Sequence, residues 1–182
     1  MKGPLRKYPL FSLCGLCCAC CPMFHISEER RCAGCGGEGR PACAVIRCAK
    51  RHGGVEFCFE CPEYPCERYR GERPDSFVPV RNTQKEFDQI KAVGPRAHQE
   101  LMNEKAMRIR FLLSNYNDGR RKSFFCLAVN LLDPETVGAA LARLSGQTRP
   151  GMTVKEKAAL AVGIFQEAAD RQNVVLKLNK KK

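Results

Sequence analysis

The sequence predicts a small metal-stabilised cysteine-rich module, irregular with short helices and knuckles, followed by a mainly α-helical domain. Three observations carry this. Twelve of the thirteen cysteines fall between Cys14 and Cys66. That stretch is otherwise rich in Gly, Pro, Arg and Glu and poor in large apolar side chains. Ordering it costs about 1–2 kcal/mol per residue in backbone entropy, which a scant oily surface of its own cannot offset; disulfides or metal–thiolate bonds can. From Thr83 onward, apolar residues recur at helical spacing between capping signals. The expected division is 1–66 for the module, 67–81 for a linker and 82–182 for a basic helical domain.

At 182 residues, with 27% charged and 44% hydrophobic positions, the chain has a globular balance. No apolar run approaches the ~20 residues that span a bilayer, and no membrane association is expected. The N-terminus is basic, but the apolar stretch after it is short and interrupted by cysteine, unlike a secretory signal. The expected address is the cytoplasm, where thiols stay reduced and clustered cysteines act as metal ligands or redox groups. An odd number of thiols also disfavours a closed disulfide framework.

The formal net charge is +12. It is concentrated behind residue 81, where 19 Lys and Arg face 10 Asp and Glu. A solvated helical surface with a basic tail accounts for this, and the balance also admits nucleic acid or an acidic protein as partner.

In chain order, Tyr8, Leu10, Phe11 and Leu13 anchor the lead-in. Gly34, Gly36, Gly37, Gly39, Gly53 and Gly54 mark turns between cysteines. Val45 and Ile46 begin a short helix or strand with Cys43 and Cys48 on its flanks. Charged residues with Pro74 and Pro79 form the linker. Thr83 and Glu86 make a capping box for a helix that Gly94 ends. Pro95 opens a second helix with Leu101, Met102, Ile109, Leu112 and Leu113 on its apolar face. Asn117-Asp118-Gly119 is a turn, and a third helix carries Phe124, Leu127, Ala128 and Leu131. Asp133 caps a fourth, with Pro134 at its first position and Gly146 just past its end. Thr153 and Glu156 box a fifth through Leu160, Ile164 and Ala168. Val174-Val175-Leu176 extends it or forms a short strand, and Lys180–Lys182 is a frayed tail.

Zinc takes four thiolates in a tetrahedron, and Cys-x-x-Cys lets one tight turn supply two of them. Cys32-Ala33-Gly34-Cys35 and Cys58-Phe59-Glu60-Cys61 have this spacing. Cys18-Ala19-Cys20-Cys21 offers a third such pair, with Cys14 one turn earlier. Cys43 and Cys48 are five apart, as are Cys61 and Cys66. Several such pairs within some fifty residues are a strong signal for metal, without naming the ion. Iron is the alternative: Cys14, Cys17 and Cys20 reproduce the first three positions of a ferredoxin-type run, so a [4Fe-4S] cluster completed by a remote cysteine would make a redox protein. Position four of that run is Phe24.

The order Cys14-Gly15-Leu16, Cys18, Cys21-Pro22, Cys32-Ala33-Gly34-Cys35, Cys43-Ala44-Val45-Ile46-Arg47-Cys48-Ala49 and Cys58-Phe59-Glu60-Cys61-Pro62-Glu63-Tyr64-Pro65-Cys66 resembles the uncharacterised bacterial and archaeal family called domain of unknown function 3795. Gly119-Arg120-Arg121-Lys122-Ser123-Phe124-Phe125-Cys126-Leu127-Ala128 resembles a segment of its longer members. The resemblance implies metal ligation by Cys14, Cys18, Cys21, Cys32, Cys35, Cys43, Cys48, Cys58, Cys61 and Cys66, and no reaction. Cys17 and Cys20 lie outside its pattern, which favours zinc. Ten ligands exceed the eight that two tetrathiolate zincs need, so two zinc sites with two spare thiols are expected. Three sites sharing His25 or His52 are the alternative count.

No catalytic set stands out, and a binding or adaptor protein is expected rather than an enzyme. The glycines at 34, 36, 37 and 39 lie between cysteines, not between a strand and a helix, so a phosphate loop is not expected. Cys126 beside Lys122 has the makings of an activated thiol, but a small core residue is the plainer reading. Glu60 and Glu63 are the available bases for an open zinc site, and ordinary surface residues otherwise. Arg120-Arg121-Lys122 with Phe124 and Phe125 would suit phosphates and bases, although the helix pattern puts Phe124 in the core. His98 is expected to be structural.

Overall fold

The computed structural model describes residues 6–27, 29–38, 43–70 and 74–179. The expected turn at Gly39 and the tail Lys180–Lys182 lie outside them. The described residues form five α-helices: α1 Ala44–Arg51, α2 Thr83–Tyr116, α3 Lys122–Leu131, α4 Pro134–Gln147 and α5 Val154–Arg171. Three 3-10 turns, Cys18–Cys20, Cys58–Glu60 and Glu67–Tyr69, punctuate the cysteine-rich part. A cysteine-rich N-terminal region and a helical C-terminal one are therefore as expected. No described helix is long and apolar enough to cross a membrane.

The chain forms two compact units, Met1–Asn103 with Leu178–Lys182, and Glu104–Lys177. The division lies inside α2, whereas the sequence places it after residue 81. The physical reason is apolar surface. In the first unit Phe87 and Ile90 of α2 are buried with Phe11 and Phe57 of the cysteine segment. The Phe87 ring meets Phe11 at 6.0 Å, Phe59 at 5.1 Å and Tyr64 at 5.7 Å between centroids, all edge-on, the favoured aromatic geometry. Farther along α2, His98 stands edge-on to Phe11 at 4.6 Å, and the Cys17 thiol donates to Met102 Sδ at 3.4 Å. The module's oily side is thus closed by residues 83–102.

Helix boundaries follow the local chemistry with three adjustments. Thr83 is the first residue of α2, so the cap position falls to Asn82, and Glu86 turns inward to meet His98 Nε2 at 3.2 Å. Gly94 breaks the helix, with φ 81° and ψ 160°, and Pro95 restarts it. Gly146 lies within the last turn of α4 rather than past its end. Thr153 caps α5, accepting from Glu156 N–H in the expected box. Val174–Leu176 is neither helix nor strand.

The 67–81 segment is not a bare tether: it carries the Glu67–Tyr69 turn, and Val78 is buried. Asp75 Oδ1 accepts from Val80 N–H at 2.8 Å, and Oδ2 from Asn179 N–H at 2.7 Å. In the second unit, Phe125, Val129, Val137, Leu144, Ile164 and Phe165 build a helical core. Phe124 is only half-buried; its neighbour Phe125 takes the core position, and Cys126 is buried beside it.

Phe87→Ala should cost about 3–5 kcal/mol, as for a large aromatic removed from a core. Val93→Ala, on the exposed side of the same helix, should change stability by less than about 0.5 kcal/mol. Urea unfolding of the two variants beside wild type checks both.

Candidate metal centre

The cysteine segment is built from tight turns that aim thiols inward. Ser12 and Leu16 close the first: Ser12 N–H donates to Leu16 C=O at 2.9 Å, and Leu16 N–H to Ser12 Oγ at 2.6 Å. The same Ser12 Oγ lies 3.3 Å from Cys14 Sγ. Gly15 sits at φ 90°, where a Cβ would fall 2.3 Å from Thr83 Cγ2. Gly34, at φ 85°, makes the Cys32–Cys35 knuckle, and Cys35 N–H donates to Pro9 C=O at 2.8 Å.

One turn is built twice. In Cys18-x-x-Cys21-Pro22-x-Phe24 and Cys58-x-x-Cys61-Pro62-x-Tyr64, the second cysteine's N–H donates to the first one's C=O at 3.1 Å in both copies. The aromatic's N–H then donates to the second cysteine's C=O, at 2.9 Å for Phe24 and 3.0 Å for Tyr64. This repeat of Cys-x-x-Cys-Pro-x-aromatic is legible in the sequence but was not among the signals drawn from it above.

All thirteen cysteines are unbridged. The ten that the resemblance implies as ligands line two cavities. Cys48, Cys58, Cys61 and Cys66 line one of about 30 Å³, together with His52 and Tyr69. Cys14, Cys18, Cys21, Cys32, Cys35 and Cys43 line another of about 170 Å³. Ser12, Phe77 and Val78 also face the larger one. Cys17 and Cys20 line neither and are buried, so the run Cys14, Cys17, Cys20 is not gathered at one place. Cys126 belongs to the other unit. Among the described residues no three His, Cys, Asp or Glu side chains are already closed into a metal-coordinating group. Binding an ion therefore requires the thiols around each cavity to turn onto it.

α1 serves both cavities. Cys43, its N-cap, faces the larger and Cys48, in its body, the smaller. Cys35 and Cys58, one from each group, pack on the same small cluster of Leu13, Ile46 and Ala49.

Burial and neighbouring thiols shift three of these cysteines. Burial, then the neighbouring thiols Cys35, Cys17, Cys14 and Cys21, pushes Cys18 well above the ordinary thiol range. Burial raises Cys35, opposed by the Arg6 guanidinium and by the Leu13 N–H. Burial pushes Cys58 up to about 12, with Tyr69 opposing and Cys14, Cys66 and Cys48 reinforcing. Cys14 is therefore felt by both groups.

Arg6, Ser12 and Tyr69 are the functional neighbours that cysteine spacing does not reveal. Arg6 is buried, held by Phe11 C=O at 2.7 Å and by Glu56 C=O at 2.8 Å, and paired with the Glu56 carboxylate at 3.0 Å. The candidate bases are otherwise engaged. Glu60 Oε2 accepts from Glu56 N–H at 2.9 Å and Phe57 N–H at 3.1 Å, and Glu63 faces His52 at 3.3 Å. His25 lines neither cavity; its Nε2 meets Ala19 C=O at 2.7 Å. His98 is buried against Glu86, in keeping with a structural part. In comparisons with protein-family models, curated proteins and solved structures, the chain matches none.

Gly34→Ala should lower stability by about 1–3 kcal/mol for backbone strain alone. An added Cβ there also meets Pro9 O at 2.2 Å, whereas at Gly53, with a similar φ of 82°, it meets nothing. Urea midpoints should therefore fall further for Gly34→Ala than for Gly53→Ala. In metal-free, reduced protein, the raised folded-state pKa of Cys58 stabilises the fold fully below the ordinary thiol value of 9.0, and that stability is lost as pH rises towards about 12. The wild-type urea midpoint should accordingly drop above pH 9, and Cys58→Ser should flatten that drop.

Proposed function

We propose that the first unit is a structural zinc–thiolate module in a binding or adaptor protein of the cytoplasm, with no catalysis of its own. One observation supports this above the rest: ten thiols divide between two cavities with none left over, while the two extra cysteines of the segment are packed elsewhere. The donor set fits zinc. Four thiols around a space of about 30 Å³ suit a single tetrahedral ion. Clustered thiols that raise one another's pKa are held from ionising together until a divalent cation offsets their repulsion. The resemblance to domain of unknown function 3795 agrees with this reading and rests on the cysteine order alone.

Cys17 and Cys20 are buried and line neither cavity, which weighs against the ferredoxin-type reading. The engagement of Glu60 and Glu63 with a turn and with His52 argues against a zinc-bound water with a nearby base.

Protein purified without oxygen should be colourless and carry zinc by elemental analysis. Zinc uptake by the four-thiol cavity at pH 7 should release about four protons, one for each thiol that becomes a thiolate, measurable by calorimetry in buffers of different ionisation enthalpy. After exhaustive chelation under reducing conditions, hydrogen exchange should accelerate through residues 8–66 and stay slow in α3 to α5. A brown protein containing iron and sulfide, or one with neither metal, overturns the proposal.

A further inference from the structure

We infer that the six-thiol cavity holds two divalent ions as one binuclear zinc–thiolate centre with two bridging cysteines, so that the chain binds three zinc ions. This rests on the zinc–thiolate reading above and goes beyond the expectation of two zincs with two thiols spare.

Coordination chemistry and charge lead to it together. Two four-coordinate ions need eight metal–sulfur bonds, and six thiolates supply eight only when two of them are shared. One ion in the same place would leave two thiols unused or, if all six ionised, a formal charge of minus four in a half-buried wall. Two ions bring that charge to minus two, the same as one ion among the four thiols of the smaller cavity. Arg6, buried and acting on Cys35, adds a fixed positive charge beside it.

The space agrees. The six-thiol cavity, about 170 Å³, is several times the four-thiol one of about 30 Å³. Its ligands also converge from separate pieces of backbone: the Ser12–Leu16 turn, the Cys18–Cys20 turn, the Gly34 knuckle and the N-cap of α1. No proton or electron is exchanged beyond the loss of each thiol proton to solvent when zinc binds.

The experiment counts ions and then asks whether two of them share sulfur. Native mass spectrometry and elemental analysis of the anaerobically purified full chain should give three zincs. Replacement by ¹¹³Cd should give one isolated resonance and two that split each other by scalar coupling through a common thiolate. Cys61→Ser should remove one ion and leave the coupled pair. Two zincs, or three cadmium signals without mutual coupling, overturn the binuclear centre and leave the structural zinc reading standing. No zinc, or iron with sulfide, overturns that reading itself. The wild-type count and spectrum decide the matter even if a variant does not fold.

Discussion

Ten thiols in one small unit impose an electrostatic constraint before any question of function arises. A buried thiol is harder to ionise because burial removes water from the charged form, and a second thiolate nearby adds to the cost. Cys18, Cys35 and Cys58 all show this. Arg6 acts on Cys35 and Arg68 lines the smaller cavity, with hydrogen-bond donors at Leu13 and Tyr69. These offset a fraction of the repulsion. On the zinc reading proposed above, the remaining charge would arrive with a divalent ion.

Oil does more here than the cysteine segment alone suggests. Phe11 and Phe57 are fully buried against each other, and Phe11 also meets Phe87 and His98 of a helix that the sequence assigns to the next domain. Apolar burial at roughly 25 cal/mol per Å² rewards that arrangement. Cys17, whose thiol meets Met102 Sδ, and Cys20 are buried as small hydrophobic residues. The same segment thus contains cysteines of two kinds: ten around the two cavities, and these two that line neither.

Much of the helical part was legible because its signals are local. Pro95, Asp133-Pro134 and the Thr153–Glu156 box mark boundaries that backbone chemistry enforces whatever the tertiary surroundings. Thr83–Glu86 has the same spacing and means something else, since burial draws Glu86 to His98 and hands the cap to Asn82. Phe124 and Phe125 show the limit of periodicity, where a shift of one residue decides which ring is core. The ten cavity-lining thiols were legible from spacing and resemblance. Their grouping was not, because Cys43 and Cys48 lie on one short helix yet face different cavities. Arg6 and Ser12 were illegible for a different reason: their roles depend on chain segments that only folding brings together.

α1 lines both cavities, and Leu13 touches a thiol of each group. Leu13 N–H acts on the Cys35 thiol, and Leu13 C=O accepts from Cys58 N–H at 2.9 Å. Its side chain is buried with Ile46 and Ala49 of α1, against which Cys35 and Cys58 both pack. Ile46 faces the larger space and Ala49 the smaller. On the zinc reading proposed above, closing either group of thiols onto an ion would fix the backbone at Leu13 and the position of α1, and so would remove part of the ordering entropy that the other group must otherwise overcome.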